Sequence, residues 1–164
     1  MNSLSPSLAK ALALALAVPV VMLAGAYAFQ YLGGLHPCEM CWWQRYAHMA
    51  AIPLALVAYA TRGQACISGL FAGFAGIAVG ISGLIGLFHA GVEYGWWEGL
   101  TTCSTAPTGG SAADMLSQIM ASPITRCDVA AWKMLGISMA GYNGLLSGAA
   151  ALAILTLLLK ARKA

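Results

Sequence analysis

Four apolar runs decide what this chain can become. Residues 11–32, 42–60, 67–89 and roughly 137–159 each approach or exceed the ~20 residues that a helix needs to cross a bilayer. With 60% hydrophobic and 8% charged residues, and a mean hydropathy of +0.79, the 164-residue chain is too apolar for a soluble domain and too short for two ordinary ones. The expectation is an all-α membrane protein, one integral domain over residues 1–164 built as a four-transmembrane-helix bundle. Lys10 and the Ala24-Gly25-Ala26 stretch give the first run some likeness to a signal peptide. Its apolar length exceeds the roughly 7–15 residues of a signal core, so a retained span is expected.

Basic residues near span ends stay on the cytoplasmic side. Lys10, Arg62, Lys160, Arg162 and Lys163 then share one face, which puts both termini inside. The opposite face receives Arg45, Arg126 and Lys133 with all five acids, and also the five tryptophans, whose amphipathic rings settle at headgroup level. The net charge of +3 is therefore a topology signal, with no basic patch suited to nucleic acid. Four of the five cysteines, Cys38, Cys41, Cys103 and Cys127, also fall on that outer face, and disulfides persist in periplasmic or extracellular space. Cys66 falls on the inner side and is expected to be a free thiol with a packing role.

The second span opens with His36-Pro37-Cys38-Glu39-Met40-Cys41, and proline suits the first helical position, so Pro37 is expected there. A CxxC at a helix N-terminus is easily reduced and reoxidised, because the unpaired N–H groups and the dipole stabilise a thiolate. Arg45 follows Cys41 by one helical turn, on the same face, where a permanent cation favours a thiolate or the developing anion of a reduced acceptor. The plain alternative is an interfacial arginine reaching for headgroups. The third span carries Gly69, Gly73, Gly76, Gly80, Gly83 and Gly86 on one face, which reads first as close helix packing.

Residues 90–136 form an outer segment long enough to be functional, holding Cys103 and Cys127. Ser111 and Asp114 resemble a cap, and Met115, Leu116, Ile119 and Met120 recur at helical spacing, so a short amphipathic surface helix is expected before Ser122-Pro123. Structural zinc is disfavoured because Cys103 and Cys127 are not a second close pair, and covalent haem because Trp42 stands where CxxCH needs histidine. No metal is expected. His48 and His89 lie on different helices and formally allow bis-histidine haem, but near the outer surface they read more readily as interfacial polar groups, with His89 able to shape an acceptor pocket. The loop cysteines are open to two readings, a stable staple or an exchangeable pair.

The segment Pro37-Cys38-Glu39-Met40-Cys41-Trp42-Trp43-Gln44-Arg45, the two loop cysteines and the stretch Leu135-Gly136-Ile137-Ser138-Met139-Ala140-Gly141-Tyr142-Asn143 together resemble the disulfide bond formation protein B family, DsbB. The resemblance covers nearly the whole chain. It implies a bacterial inner-membrane enzyme that reoxidises a periplasmic DsbA-like thioredoxin-fold oxidase and passes two electrons to a membrane quinone, ubiquinone or menaquinone. It further implies a Cys103/Cys127 disulfide attacked at Cys103, exchange between Cys127 and Cys38, a Cys41 thiolate facing the quinone, Arg45 beside the quinone ring and, more loosely, His89 in its pocket. The extra Cys66 and the doubled Trp42-Trp43 depart from the family pattern. A quinone sink suits the potentials: from a partner near about −120 mV, transfer to a glutathione-like pool about 100 mV more reducing is uphill by roughly 5 kcal/mol. The rivals are a quinone reductase of the vitamin K epoxide reductase type, in which the CxxC typically lies on the last helix of the core, and a nonenzymatic scaffold or haem or metal carrier with the cysteines as staples.

Overall fold

The computed structural model describes residues 4–100, 111, 113 and 125–162. Cys103 and the expected amphipathic helix, apart from Ser111 and Ala113, lie outside them. Four long helices are present among the described residues: α1 (Pro6–Tyr31), α2 (Glu39–Ala60), α3 (Ala65–Glu93) and α4 (Met139–Ala161). α1, α3 and α4 are long and apolar enough to cross a membrane. α2 has 22 residues but is less apolar, because it carries Gln44, Arg45 and His48, and it falls short of that composition.

Local chemistry sets the helix starts. The Ser5 hydroxyl accepts from the Leu8 N–H at 3.3 Å with Pro6 opening α1, and the Ser138 hydroxyl accepts from the Gly141 N–H at 3.1 Å to open α4. At α2 the expectation needs correcting. The helix begins at Glu39, one position inside a Cys38 N-cap whose sulfur accepts from the Cys41 N–H at 3.3 Å, so Pro37 precedes the cap. The thiol takes the place usually held by a hydroxyl.

Leu8 and Leu12 of α1, Ala58 of α2, Ala72 of α3 and Leu158 of α4 meet in one buried cluster. The start of α1, the end of α2, the start of α3 and the end of α4 thus gather at one end of the bundle. A second cluster at the other end is made of Cys38, Met40, Val92 and Cys127, with Cys41, Trp43 and Phe88 against it. The cysteines are themselves core. Trp97 roofs this end, stacking on Phe88 with ring centres 5.6 Å apart and donating to the Phe88 carbonyl at 2.9 Å. A two-stranded hairpin not anticipated from the sequence, β1 (Lys133–Met134) and β2 (Ile137–Ser138), leads into α4. Its two-residue turn needs positive φ at both Leu135 (52°) and Gly136 (79°). Tyr94 ties the hairpin to α3, its hydroxyl donating to the Gly136 carbonyl at 3.0 Å and accepting from the Ser138 N–H at 2.9 Å.

The glycine stripe of α3 is a packing surface for α4. A Cβ at Gly76 would meet Ile154, one at Gly80 would meet Ala151, and one at Gly83 would lie 2.9 Å from the Gly148 nitrogen. At Gly86 it would lie 2.8 Å from both the Ala140 oxygen and the Gly144 nitrogen, whereas at Gly69 nothing lies within 4 Å. Gly86→Ala should therefore destabilise the bundle by about 1–3 kcal/mol through overpacking against backbone that cannot yield. Gly69→Ala should be neutral or stabilising by up to about 1 kcal/mol. Thermal unfolding of the two variants in detergent checks the contrast, and equal behaviour would refute it.

Candidate functional site

Cys38 and Cys41 bring their sulfurs to 2.7 Å at the head of α2. The hydrogen bond shared with Cys41, followed by burial, pushes the Cys38 thiol up. Cys127 arrives from the segment preceding the hairpin and is 0% exposed. The donor atoms of Cys38, Cys127 and His89 all lie within 4.8 Å of one another, so sulfurs from two distant parts of the chain meet at one ring. Beside Cys127 the exposed Arg126 guanidinium grips Asp128 through both oxygens, at 2.8 and 2.5 Å, and holds its carboxyl below the usual range.

His89 is 2% exposed and hydrogen-bonded from both sides. Nε2 lies 3.2 Å from the Cys127 carbonyl and 3.6 Å from the Cys38 sulfur, and Nδ1 lies 3.0 Å from Gln44 Nε2. The protonated nitrogen can be read outward from one backbone carbonyl. The Ser82 oxygen only accepts, so the Asn143 atom 3.1 Å away is its amide nitrogen. That nitrogen also donates to Gln44 Oε1 at 2.8 Å, which turns the Gln44 NH2 toward His89 Nδ1. Nδ1 therefore accepts, and Nε2–H donates to the Cys127 carbonyl and toward the Cys38 sulfur. The three-atom cluster has spacing suited to a metal ion, but an Nε2 that carries this proton offers no lone pair to one.

On the other side of Cys41 opens a cavity of about 350 Å³. Its walls are mainly apolar, with Met22, Phe29, Trp132 and Leu146 from α1, the hairpin approach and α4, and its polar edge includes Cys41, Gln44, Arg45, His48, His89 and Glu93. Arg45 is 6% exposed and has no carboxylate partner among the described residues. Its guanidinium donates to the Gln30 side chain and to the Ala26 carbonyl at 3.2 Å, and sits over the Tyr27 and Trp42 rings at 5.0 and 5.1 Å. It is thus anchored within the protein, which replaces the reading of an arginine reaching for headgroups.

The structure brings Cys38, Cys41, Cys127, Arg45 and His89 together; Cys103 lies outside the described residues. Cys66, expected to serve packing, is exposed in the first turn of α3, at the far end from His89. His48 and His89 are buried, not interfacial, and both turn Nε2 to protein acceptors instead of facing each other across a haem gap. Residues that sequence reasoning missed are Asn143, Ser147, Ser82 and Gln44, which form the polar chain joining the two histidines. Asn143 and Gln44 stand inside quoted motif segments, but no spacing rule pairs residues 99 positions apart.

Comparison with known proteins gives two findings. The family model described as disulfide bond formation protein DsbB matches residues 9–157. A relative named "Uncharacterized protein RP370", from Rickettsia prowazekii (strain Madrid E), is 29% identical over 133 residues, covering 79% of this chain and 76% of the relative. No solved structure matches.

Proposed function

The chain belongs to the disulfide bond formation protein DsbB family, a family of membrane oxidoreductases of disulfide-bond formation, and from that premise we propose that it is a protein dithiol:quinone oxidoreductase. In this reading the four helices all span the bacterial inner membrane, with both termini cytoplasmic and the cysteines periplasmic. The basic residues support that orientation: Lys10 and Lys160 belong to the bundle end opposite Cys38 and Cys127. The observation that carries the proposal is the position of Cys41. It touches Cys38, whose sulfur is within reach of Cys127, and it also lines the cavity that holds Arg45.

The relay follows from that adjacency. A thiolate of the reduced DsbA-like partner attacks Cys103, a mixed disulfide forms, and the Cys103–Cys127 bond breaks to release the Cys127 thiolate. Cys127 attacks Cys38; the Cys127–Cys38 bond forms as Cys38–Cys41 breaks, and Cys41 leaves as a thiolate beside Arg45. The partner's second thiol displaces Cys103, which frees the oxidised partner, and Cys103 then recovers Cys127 to leave a Cys38/Cys41 dithiol. His89 Nε2–H steadies charge at Cys38 during both exchanges.

The cavity suits a quinone: apolar walls for a ring and isoprenoid tail, a buried cation that makes no ion pair among the described residues, and a thiol at its edge. A quinone bound there supplies a two-electron, two-proton sink that regenerates the Cys38–Cys41 disulfide. Arg45 would hold its oxygen nearest Cys41, and the packed rings of Tyr27 and Trp42 keep the guanidinium in place. Purified protein given a reduced thioredoxin-fold partner should reduce quinone, and Cys38→Ser or Cys103→Ser should each abolish this. Turnover that survives either change in folded protein would refute the relay, and no turnover with any quinone or partner would favour a scaffold.

A further inference from the structure

Two buried side-chain atoms among the described residues lack a hydrogen-bond partner, Glu93 Oε2 and one nitrogen of His48. His48 is 3% exposed, yet its Nδ1 has no hydrogen-bond partner. Its other nitrogen is fully committed, with Nε2 3.1 Å from Asn143 Oδ1 and 3.3 Å from Ser147 Oγ. Because the Ser82 carbonyl fixes the Asn143 amide nitrogen as donor, Oδ1 is an acceptor, and it already receives the Ser147 hydroxyl at 2.8 Å. The atom facing it from His48 must therefore be Nε2–H. This leaves Nδ1 as a bare lone pair on a residue that lines the cavity with Cys41 and Arg45.

A buried acceptor left unsatisfied costs about 1–3 kcal/mol, so a donor arriving from a ligand recovers that loss. The two polar ends of this cavity have opposite sense. Arg45 offers only donors and His48 Nδ1 only a lone pair. An oxidised quinone carries carbonyl oxygens, which accept and so suit Arg45 but have nothing to offer His48 Nδ1. A hydroquinone carries two hydroxyls, and only that form can donate to His48.

We propose that His48 Nδ1 is the hydrogen-bond acceptor for a hydroxyl of the hydroquinone product, so that the cavity discriminates in favour of the reduced ring. The inference rests on the quinone reading of the cavity. Asn143 and Ser147 act as positioning residues, because they hold the proton on Nε2. By binding the reduced form more tightly, His48 draws electrons out of the Cys41 thiolate without touching it.

The test is binding, not turnover. Decylubiquinone and, under anaerobic conditions, decylubiquinol are titrated into the oxidised full-length protein, with tryptophan fluorescence as readout. His48→Leu should weaken decylubiquinol on the order of tenfold and leave decylubiquinone little changed. His48→Asn, whose side-chain oxygen restores an acceptor near the place of Nδ1, should recover much of the difference. In the wild type, independently of any variant, the acceptor 15N resonance of His48 should move upfield with decylubiquinol and stay in place with decylubiquinone. Equal weakening of both forms in His48→Leu, or an unmoved resonance while decylubiquinol binds, overturns the role of His48. Binding of neither form to the wild type overturns the quinone reading itself, and the inference with it.

Discussion

Changing Cys127 to serine should lower partner-driven quinone reduction on the order of a thousandfold or more. The physical ground is proximity. Cys127 is buried with its sulfur within 4.8 Å of the Cys38 sulfur, so exchange between them is an intramolecular step between groups already placed. Well-oriented intramolecular reactions gain effective concentrations of about 10⁵ M or more, and a small thiol from solution cannot replace that. Neither can Cys66, which is exposed at the other end of the bundle. The same variant should still couple quinone reduction to a small reductant such as dithiothreitol, since Cys38, Cys41 and Arg45 are untouched. Measuring both rates separates the outcomes. Near-wild-type turnover with the partner would mean that electrons enter at Cys38 directly; loss with both reductants would mean that the cavity end has collapsed.

Arg45→Ala should raise KM for a short-chain quinone by roughly tenfold to a hundredfold, the loss of about 1.5–3 kcal/mol from one charged hydrogen bond. The expectation stems from a cation that is 6% exposed, without an ion-pair partner among the described residues, and already oriented by Gln30 and Ala26. Arg45→Lys should recover little, because a point charge on a flexible stem cannot make the fork that reaches Gln30, the Ala26 carbonyl and a ligand at once. Reduction of the protein's disulfides by the partner, followed without quinone, should change far less. An unchanged KM in a folded variant would remove Arg45 from the quinone site.

How far the site could be read in advance depended on whether local periodicity carried it. Cys41 and Arg45 are one turn apart, so their common face was legible, and the spacing of the α3 glycines announced the seam with α4. The helix start was misread by two positions because capping preference is framed around hydroxyls and carboxylates, and here a thiol accepts from Cys41. The buried state of His48 was not legible. It follows from Asn143, 95 positions away, arriving on α4 at the height that meets Nε2. That arrival depends on Gly86, since a side chain there would crowd the Asn143 amide nitrogen, 3.0 Å from its Cβ. The convergence of Cys127 on Cys38 was implied only by family resemblance, because a return from a loop has no periodicity to read.

α2, which holds the proposed Cys41 and Arg45 pair, is also the least apolar of the four helices. Each of its buried polar side chains is answered from another helix: Arg45 by Gln30 and Ala26 of α1, Gln44 by His89 of α3 and Asn143 of α4, His48 by Asn143 and Ser147 of α4. A lone helix with arginine, histidine and glutamine along it partitions poorly into hydrocarbon. In the proposed four-span arrangement its residence in the bilayer is conferred by assembly, after α1, α3 and α4 have supplied acceptors and donors at matching depth. Biogenesis thereby acquires a checkpoint. In that arrangement, helices that associate in the wrong order leave Gln44, Arg45 and His48 unshielded in hydrocarbon.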